Sequence, residues 1–427
     1  MINGVVKKIV FYIDVLLESP LSVSGGDEEI TDHDVLRDYD GKPFIPGSSL
    51  AGAMRAYLQK AKQENCIFGF SVNDSLQETG KMSSVYVSDL IFTDTVKTTI
   101  RDSVSLSADK TAVTGNKFDM EVIDSGAKGR FILEWIVRAQ DNEIEMKKQL
   151  QTVFTGWNRK EIRLGSKKTR GYGELKILSV KMKGYTKENI EEYRFAYQSE
   201  TAESTFQDVT KEWLVSSREN RYILLEIPLK FKGGISIRQY ASRKGEPDYV
   251  HITANGKPVI PGTSMTGAIR HRMRKFLYAL SLSRQEAEQI LDGIFGTVKQ
   301  GKGQQPVCSS VIVNECIIEG AKALVTVRNG ISRFEAGTKN GALFKELTWV
   351  DGTTVLKIMV KSNETASETI GLLLLVLKDL QNGYLAVGGQ TAIGRGLFEK
   401  NGEIQMDGDV VNESYYLKKA SEFLCRG

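Results

Sequence analysis

Histidine, cysteine and proline are all scarce in this chain. Three histidines among 427 residues, His33, His251 and His271, leave little room for imidazole catalysis or a histidine-rich metal site. The four cysteines, Cys66, Cys308, Cys316 and Cys425, form no CxxC pair, which excludes a zinc ribbon and argues against a disulfide scaffold. Eight prolines are too few for a low-complexity or collagen-like chain. The longest apolar run, residues 370–377 with one glycine inside, is far short of the ~20 residues that span a bilayer. No basic-then-apolar leader opens the sequence. Neither sign of charge dominates: 57 basic and 53 acidic residues leave +4, so a nucleic-acid surface would have to be local. A cytoplasmic protein with no membrane partner is expected.

What the chain does have is glycine, 40 residues where roughly 7% is usual, on an otherwise ordinary globular composition. At roughly 150 residues per domain the length implies two or three domains. An internal repeat decides for two. Gly41-Lys42-Pro43-Phe44-Ile45-Pro46-Gly47-Ser48-Ser49 returns as Gly256-Lys257-Pro258-Val259-Ile260-Pro261-Gly262-Thr263-Ser264, and each copy runs on to an arginine, Arg55 and Arg270. Ile67-Phe68-Gly69 matches Ile294-Phe295-Gly296, Ser83-Ser84-Val85 matches Ser309-Ser310-Val311, and Phe118 matches Phe344. Arg170-Gly171-Tyr172-Gly173 is answered by Gly394-Arg395-Gly396. The pairs keep their order while the offset drifts from 215 to 227. Two domains are expected, residues 1–185 and 221–427, joined by a polar linker at 186–220.

Each half begins with a strand pattern, Val5–Leu17 and the alternation of Ile223, Leu225, Ile227 and Leu229. A helix follows Pro46-Gly47 (Leu50, Met54, Tyr57, Leu58) and Pro261-Gly262 (Met265, Ile269, Met273, Phe276), with Ser48/Ser49 and Thr263/Ser264 as N-caps. Further strands, a second helix and a last strand complete each half. That order is ferredoxin-like, so the fold class is α+β, two tandem ferredoxin-like or RRM-like domains with inserted loops.

Three features carry chemistry. The helix starts at Gly47 and Gly262 offer free amides and a positive dipole end, which suits either simple capping or a phosphate. Arg55, Arg270, Arg272, Arg274 and Lys275 add charge nearby, some of it plain surface. The glycine-rich turn with Lys167, Lys168, Arg170 and Tyr172 suits a phosphodiester backbone and a stacked base, or else is a hairpin with Tyr172 in the core; its second copy keeps the glycines and only Arg395. The loop between Gly25 and Gly41 carries Asp27, Glu28, Glu29, Asp32, Asp34, Asp38 and Asp40, either solvated or holding a divalent cation beside a phosphate. The corresponding second loop has only Glu246 and Asp248.

The segment Asp32-His33-Asp34-Val35-Leu36-Arg37-Asp38, followed by the Gly41–Ser49 motif, Leu50, Gly52 and Arg55, resembles the RAMP superfamily of CRISPR systems. The nearest likeness is to backbone subunits of type III effector complexes, in the double-domain form of the type III-D lineage. The family's mid-domain arginine segment resembles Arg101–Leu106 here and Arg328–Arg333 in the second half.

The resemblance implies subunits that line up along a crRNA, grip its phosphates and displace a base at every sixth position with a β-hairpin thumb. The thumbs would be residues 104–124 and 331–348. It also implies metal-dependent endoribonuclease cutting of the paired target RNA, with Asp32 as catalytic aspartate and ligand of a divalent ion such as Mg²⁺. Anchoring on Val35 and Val250 puts Asp248 opposite His33, so the second site could be active through Asp248 or binding-only. The implied RNA contacts are Gly47, Ser48, Ser49, Arg55, Lys167, Lys168, Arg170, Tyr172, Gly262, Thr263, Ser264, Arg270, Arg274 and Arg395, and the other partners are further subunits of the complex. A purely structural RNA-binding subunit and a histidine-using crRNA processor are the competing readings.

Overall fold

The computed structural model describes residues 4–26, 31–60, 67–74, 77–106, 111–194, 196, 203–215, 220–240, 245–297 and 306–425. Asp27, Glu28, Glu29 and Cys66 lie outside these residues.

In the first half, β1 (Val5–Leu17) is followed by α1 (Gly47–Lys60), β2 (Val85–Val87) and β3 (Leu90–Phe92). A long hairpin follows, β4 (Thr98–Leu106) and β5 (Ala112–Ile123), then β6 (Lys128–Arg138), α2 (Glu143–Asn158) and β7 (Leu175–Tyr185). β1 pairs antiparallel with both β6 and β7, and β6 pairs with β2 and β3. The spatial order last–first–third–second, with both helices on one face, is that of a ferredoxin-like sheet.

The second half repeats it. β8 (Tyr222–Lys232), α3 (Gly262–Ala279), α4 (Arg284–Phe295), β9 (Val311–Val313), the hairpin β10 (Lys322–Ile331) and β11 (Thr338–Val350), β12 (Thr353–Lys361), α5 (Ala366–Gln381) and β13 (Leu397–Lys400) follow in order. β8 lies between β12 and β13, and β9 pairs with β12. A terminal helix, α6 (Glu413–Leu424), packs beside α5. Both hairpins rise earlier than the sequence suggests, from Thr98 and Lys322, because their β-branched alternation starts there.

Each half has its own apolar core. One gathers Phe11, Ile13, Leu50, Met54, Leu133, Phe154 and Trp157, the other Leu225, Ile227, Ile269, Leu277, Leu356, Leu373 and Phe398. The chain forms two compact units, and they do not follow chain order. Met1–Ile100, Asp119–Lys168 and Tyr172–Glu219 form the first; Arg101–Phe118, Thr169–Gly171 and Asn220–Gly427 form the second. Within the second unit, Arg101 makes a two-pronged ion pair with Glu315, both side chains almost wholly buried. A buried guanidinium needs such a carboxylate, since leaving it alone would cost several kcal/mol, on the order of 3–5.

The described part of residues 186–220, expected as a linker, packs against the first unit. Gln207–Asp208 adds a short strand to β7. Phe206 and Tyr193 cover Val10, Tyr12 and Tyr185 on the sheet face opposite the helices. Trp213 lies in the main core, edge-on to Phe11 and Trp135. The polar composition of the stretch hides these few aromatic anchors. Trp213→Ala is therefore expected to cost about 3–5 kcal/mol, read as a lower denaturant midpoint in guanidinium unfolding of the full chain; an effect below about 1 kcal/mol would mean the tryptophan is not a core residue.

Candidate RNA-facing site

The two helix starts are built alike. Pro46 O accepts the amides of Ser49 and Leu50, and Pro261 O those of Ser264 and Met265, so each helix opens at the glycine. The serine and threonine side chains expected as N-caps thus sit inside the first turn: Pro261 is the N-cap of α3 and makes no side-chain cap bond. Proline's fixed φ sets the entry angle, which displaces the cap by two or three residues. The close approach that the glycines permit is to the chain itself. A Cβ at Gly47 would strike the carbonyls of Val87 and Ser88, and one at Gly262 those of Val313 and Arg170. Gly47 N–H already donates to Asp89 Oδ1 at 2.7 Å, so a carboxylate occupies part of the anion position at α1. Ser48 and Arg55 are exposed, while Ser49, Thr263 and Ser264 are half-buried.

Three cations of α3 are spent internally. Arg270 Nη2 donates to Asp292 Oδ1 (2.7 Å), Arg272 Nε to Asp379 Oδ2 (2.7 Å), and Arg274 grips both oxygens of Glu288 (2.5 and 3.1 Å). Arg270 and Arg274, expected at RNA phosphates, are paired here with acids of α4. Glu288 holds the Arg274 guanidinium above its ordinary range, and Arg274 holds Glu288 below its own.

The glycine-rich turns share three backbone bonds. Leu164 N–H to Gly173 O, Ser166 N–H to Ser22 O and Gly173 N–H to Pro20 O correspond to Val387 to Gly396, Gly389 to Ser236 and Gly396 to Gly234. One 3₁₀ turn sits in each, Lys168–Arg170 and Thr391–Ile393, and Gly171, Gly173, Gly394 and Gly396 take φ of +73° to +85°. This superposition sets Tyr172 against Arg395, and Lys167, Lys168 and Arg170 against Gln390, Thr391 and Ile393. Tyr172 is 2% exposed, so its ring is core and is removed from the candidates for base stacking. Arg170 is the telling residue. Burial, then the like charge of Arg270, pulls its pKa down, and its Nη1 is buried with no hydrogen-bond partner. Such a guanidinium attracts an anion. Arg395 packs over Gly234.

Among the described residues of the acidic loop, two carboxylates make turns. Asp34 Oδ1 accepts from Thr31 N–H and Oγ1–H, and Asp38 Oδ1 from the amides of Asp40 and Lys42. Buried Glu121 takes the Val35 amide and the Arg37 guanidinium. Asp32 differs, for it reaches the base of the hairpin. Its Oδ2 accepts Asp119 N–H (2.9 Å), while Asp119 Oδ1 accepts Asp32 N–H (3.0 Å). In the second half Asp248 Oδ2 accepts Lys345 N–H at 2.7 Å. Asp119 and Lys345 each directly follow the matched phenylalanines, Phe118 and Phe344. The hairpin bond therefore pairs Asp248 with Asp32, where the Val35–Val250 anchoring is one residue out.

Sequence reading missed the neighbour in both copies. In the first the amide donor is Asp119, whose carboxylate bonds back to Asp32 N–H; in the second it is Lys345, an exposed residue that meets Asp248 through its backbone amide. The outer oxygens of Asp32 and Asp119 fit a divalent ion that keeps water and a phosphate, which uses one or two carboxylates. They do not form a protein cage: among the described residues no group of three or more His, Cys, Asp or Glu could hold a metal. The second copy, with one carboxylate beside a lysine, fits an ion poorly.

Among the histidines, His251 is structural. It is 2% exposed, its Nδ1 accepts Ile237 N–H (3.0 Å) and its Nε2 lies 2.9 Å from Val259 O. Burial, opposed by its backbone bonds, lowers its pKa from 6.5 to about 4. Between those values the unfolded chain binds a proton that the folded one does not, so this contribution is complete above pH 6.5 and is lost on acidification towards 4. His251→Gln should thus be most destabilising near neutrality, and its gap from wild type in unfolding free energy should narrow between pH 6.5 and 4. A constant gap would show that the imidazole is not held neutral.

Among the described residues no helix is long and apolar enough to cross a membrane. A family model described as the RAMP superfamily matches residues 14–176 and again residues 223–399, most of the chain in two passes. No curated protein matches it.

Proposed function

Because the chain belongs to the RAMP superfamily in both halves, the CRISPR-associated RNA-binding family, we propose that it is a crRNA-gripping backbone subunit of a type III effector complex, of the double-domain III-D kind. In this reading the first half cuts crRNA-paired target RNA beside its hairpin, at the six-nucleotide spacing of the thumbs, and the second half binds without cutting.

One observation supports the division of labour: Asp32 and Asp248 both take the amide at the base of a hairpin, but Asp119 stands beside the first and Lys345 beside the second. Asp32 and Asp119 would hold a divalent ion such as Mg²⁺ through their outer oxygens. That ion supplies positive charge at the scissile phosphate. The hairpin bond fixes Asp32 at the strand that splays the duplex. There the target's 2′-hydroxyl would give its proton to solvent and attack the adjacent phosphorus, and the P–O5′ bond would break as the 5′-oxygen takes a proton from solvent, leaving a 2′,3′-cyclic phosphate and a 5′-hydroxyl. Lys345 would pair with a backbone phosphate at the second hairpin and hold it uncut. Arg170, with its unpartnered Nη1, and exposed Arg55 are the phosphate contacts this reading favours.

In the assembled complex with Mg²⁺, Asp32→Ala is expected to lower target cleavage at the first-half positions on the order of 10²-fold or more. Asp119→Asn should raise the Mg²⁺ requirement, and Asp248→Ala should leave the cut pattern unchanged. Cuts that vanish only with Asp248→Ala would reverse the assignment. For crRNA binding by the full chain, Arg55→Ala should reduce the slope of log K against log salt by about 0.7, the share of one single-strand phosphate contact. Arg274→Ala, already paired with Glu288, should leave that slope unaltered; a larger slope change at Arg274 than at Arg55 would overturn the site.

A further inference from the structure

The second unit carries a cavity of about 640 Å³ on its helical side, bounded by α4, the start of α5 and the end of α6. Its floor is apolar, with Ile290, Leu372, Phe423 and Leu424, and its rim is acidic, with Glu286 and Glu368. Among the described residues, no lysine or arginine lines it. Glu368 sits in the first turn of α5, and its Oε2 is buried there with no hydrogen-bond partner. Glu286 is different: the Ser283 hydroxyl and amide hold its carboxyl below the usual range, so it contributes a fixed negative charge.

Two elements that build this groove are additions to the repeat. The 12-residue helix α4 occupies the place where the offset between the halves jumps from 215 (Arg55 to Arg270) to 227 (Ile67 to Ile294). The terminal helix α6 follows the last matched strand and crosses α5 closely enough that a Cβ at Gly371 would strike the Tyr416 carbonyl. A duplicated unit gains such a groove only in the copy that carries both helices.

We propose that this groove binds a basic amphipathic helix of a partner protein, its apolar face on Ile290, Leu372, Phe423 and Leu424 and a lysine or arginine on Glu368. A helix fits because the walls are themselves helices and leave a trough rather than a closed pocket. The charge argument selects the sign. A buried carboxylate oxygen without a partner is costly, and an incoming cation relieves that cost where a neutral or acidic segment would not. Nucleic acid is disfavoured because its phosphates would face two glutamates and, among the described residues, no lining cation. The inference rests on this groove alone and stands apart from the RNA reading above.

The test uses the full-length chain and two fluorescein-labelled synthetic helices, one of leucine and lysine in amphipathic register and one of leucine and glutamate. Binding is followed by fluorescence anisotropy at physiological salt. The leucine/lysine helix should bind, Glu368→Gln should weaken it about tenfold, and Ile290→Arg should abolish it, with both variants keeping the wild-type melting temperature within a few degrees. Equal binding of the leucine/glutamate helix, or an affinity indifferent to Glu368→Gln, overturns the proposal. Sedimentation velocity covers the remaining occupant: a dimer of the wild-type chain that Ile290→Arg dissociates would mean the groove takes a second copy, which also overturns it. Loss of crRNA binding in a chain that still takes the leucine/lysine helix would sink the RNA reading and leave this one standing.

Discussion

Everything in each half hangs on one strand. β1 and β8 are the central strands, hydrogen-bonded on both edges, and each must bury apolar residues against the two helices while holding the third and last strands in antiparallel register. That double pairing brings together the three places where chemistry can occur. The loop leaving the central strand carries the aspartate, the hairpin inserted before the third strand presents the amide that this aspartate takes, and the glycine-rich turn before the last strand bonds back to the end of the first. The site is thus a consequence of sheet topology more than of any local motif.

Duplication then separates geometry from charge. The backbone of the glycine-rich turns is the same in both halves, down to three hydrogen bonds, yet three cations in one are replaced by uncharged side chains in the other. In the second turn Gln390, with Ser236 and Arg238, serves instead to satisfy Glu346, whose carboxylate is fully buried in the second hairpin. Burial opposes the ionisation of Glu346, and those three partners outweigh it, holding its pKa down. Positions that carry cations in one copy can therefore become structural in the other without disturbing the fold. Arg270 and Arg274 are likewise paired within the second half, by acids of α4, a helix with no counterpart among the described residues of the first.

Much of the architecture was legible beforehand. The repeated Pro-Gly motif, the strand alternation and the helical spacing each follow from local rules, so two ferredoxin-like units could be read from them. Tyr172 could not be placed from spacing, because glycine-flanked aromatics serve equally well as core plugs and as stacking platforms. Nor could the role of residues 186–220, where a few aromatics among many polar residues carry the packing of the segment on the first sheet.

The sequence by itself determined the twofold repeat and the order of strands and helices in each copy, since these depend on local periodicity and on motifs repeated in order, but it set Asp248 one residue out of line with Asp32. Only the tertiary structure decided which charges remain available. Ion pairing depends on distance between residues far apart in the chain, so the spending of Arg274 on Glu288, the pairing of Arg101 with Glu315 and the opposite neighbours of Asp32 and Asp248 appear only once the strands and helices are packed. Scarce histidine and a net charge of +4 said little about this protein, because its chemistry lies in where a few carboxylates and guanidiniums were left unpaired.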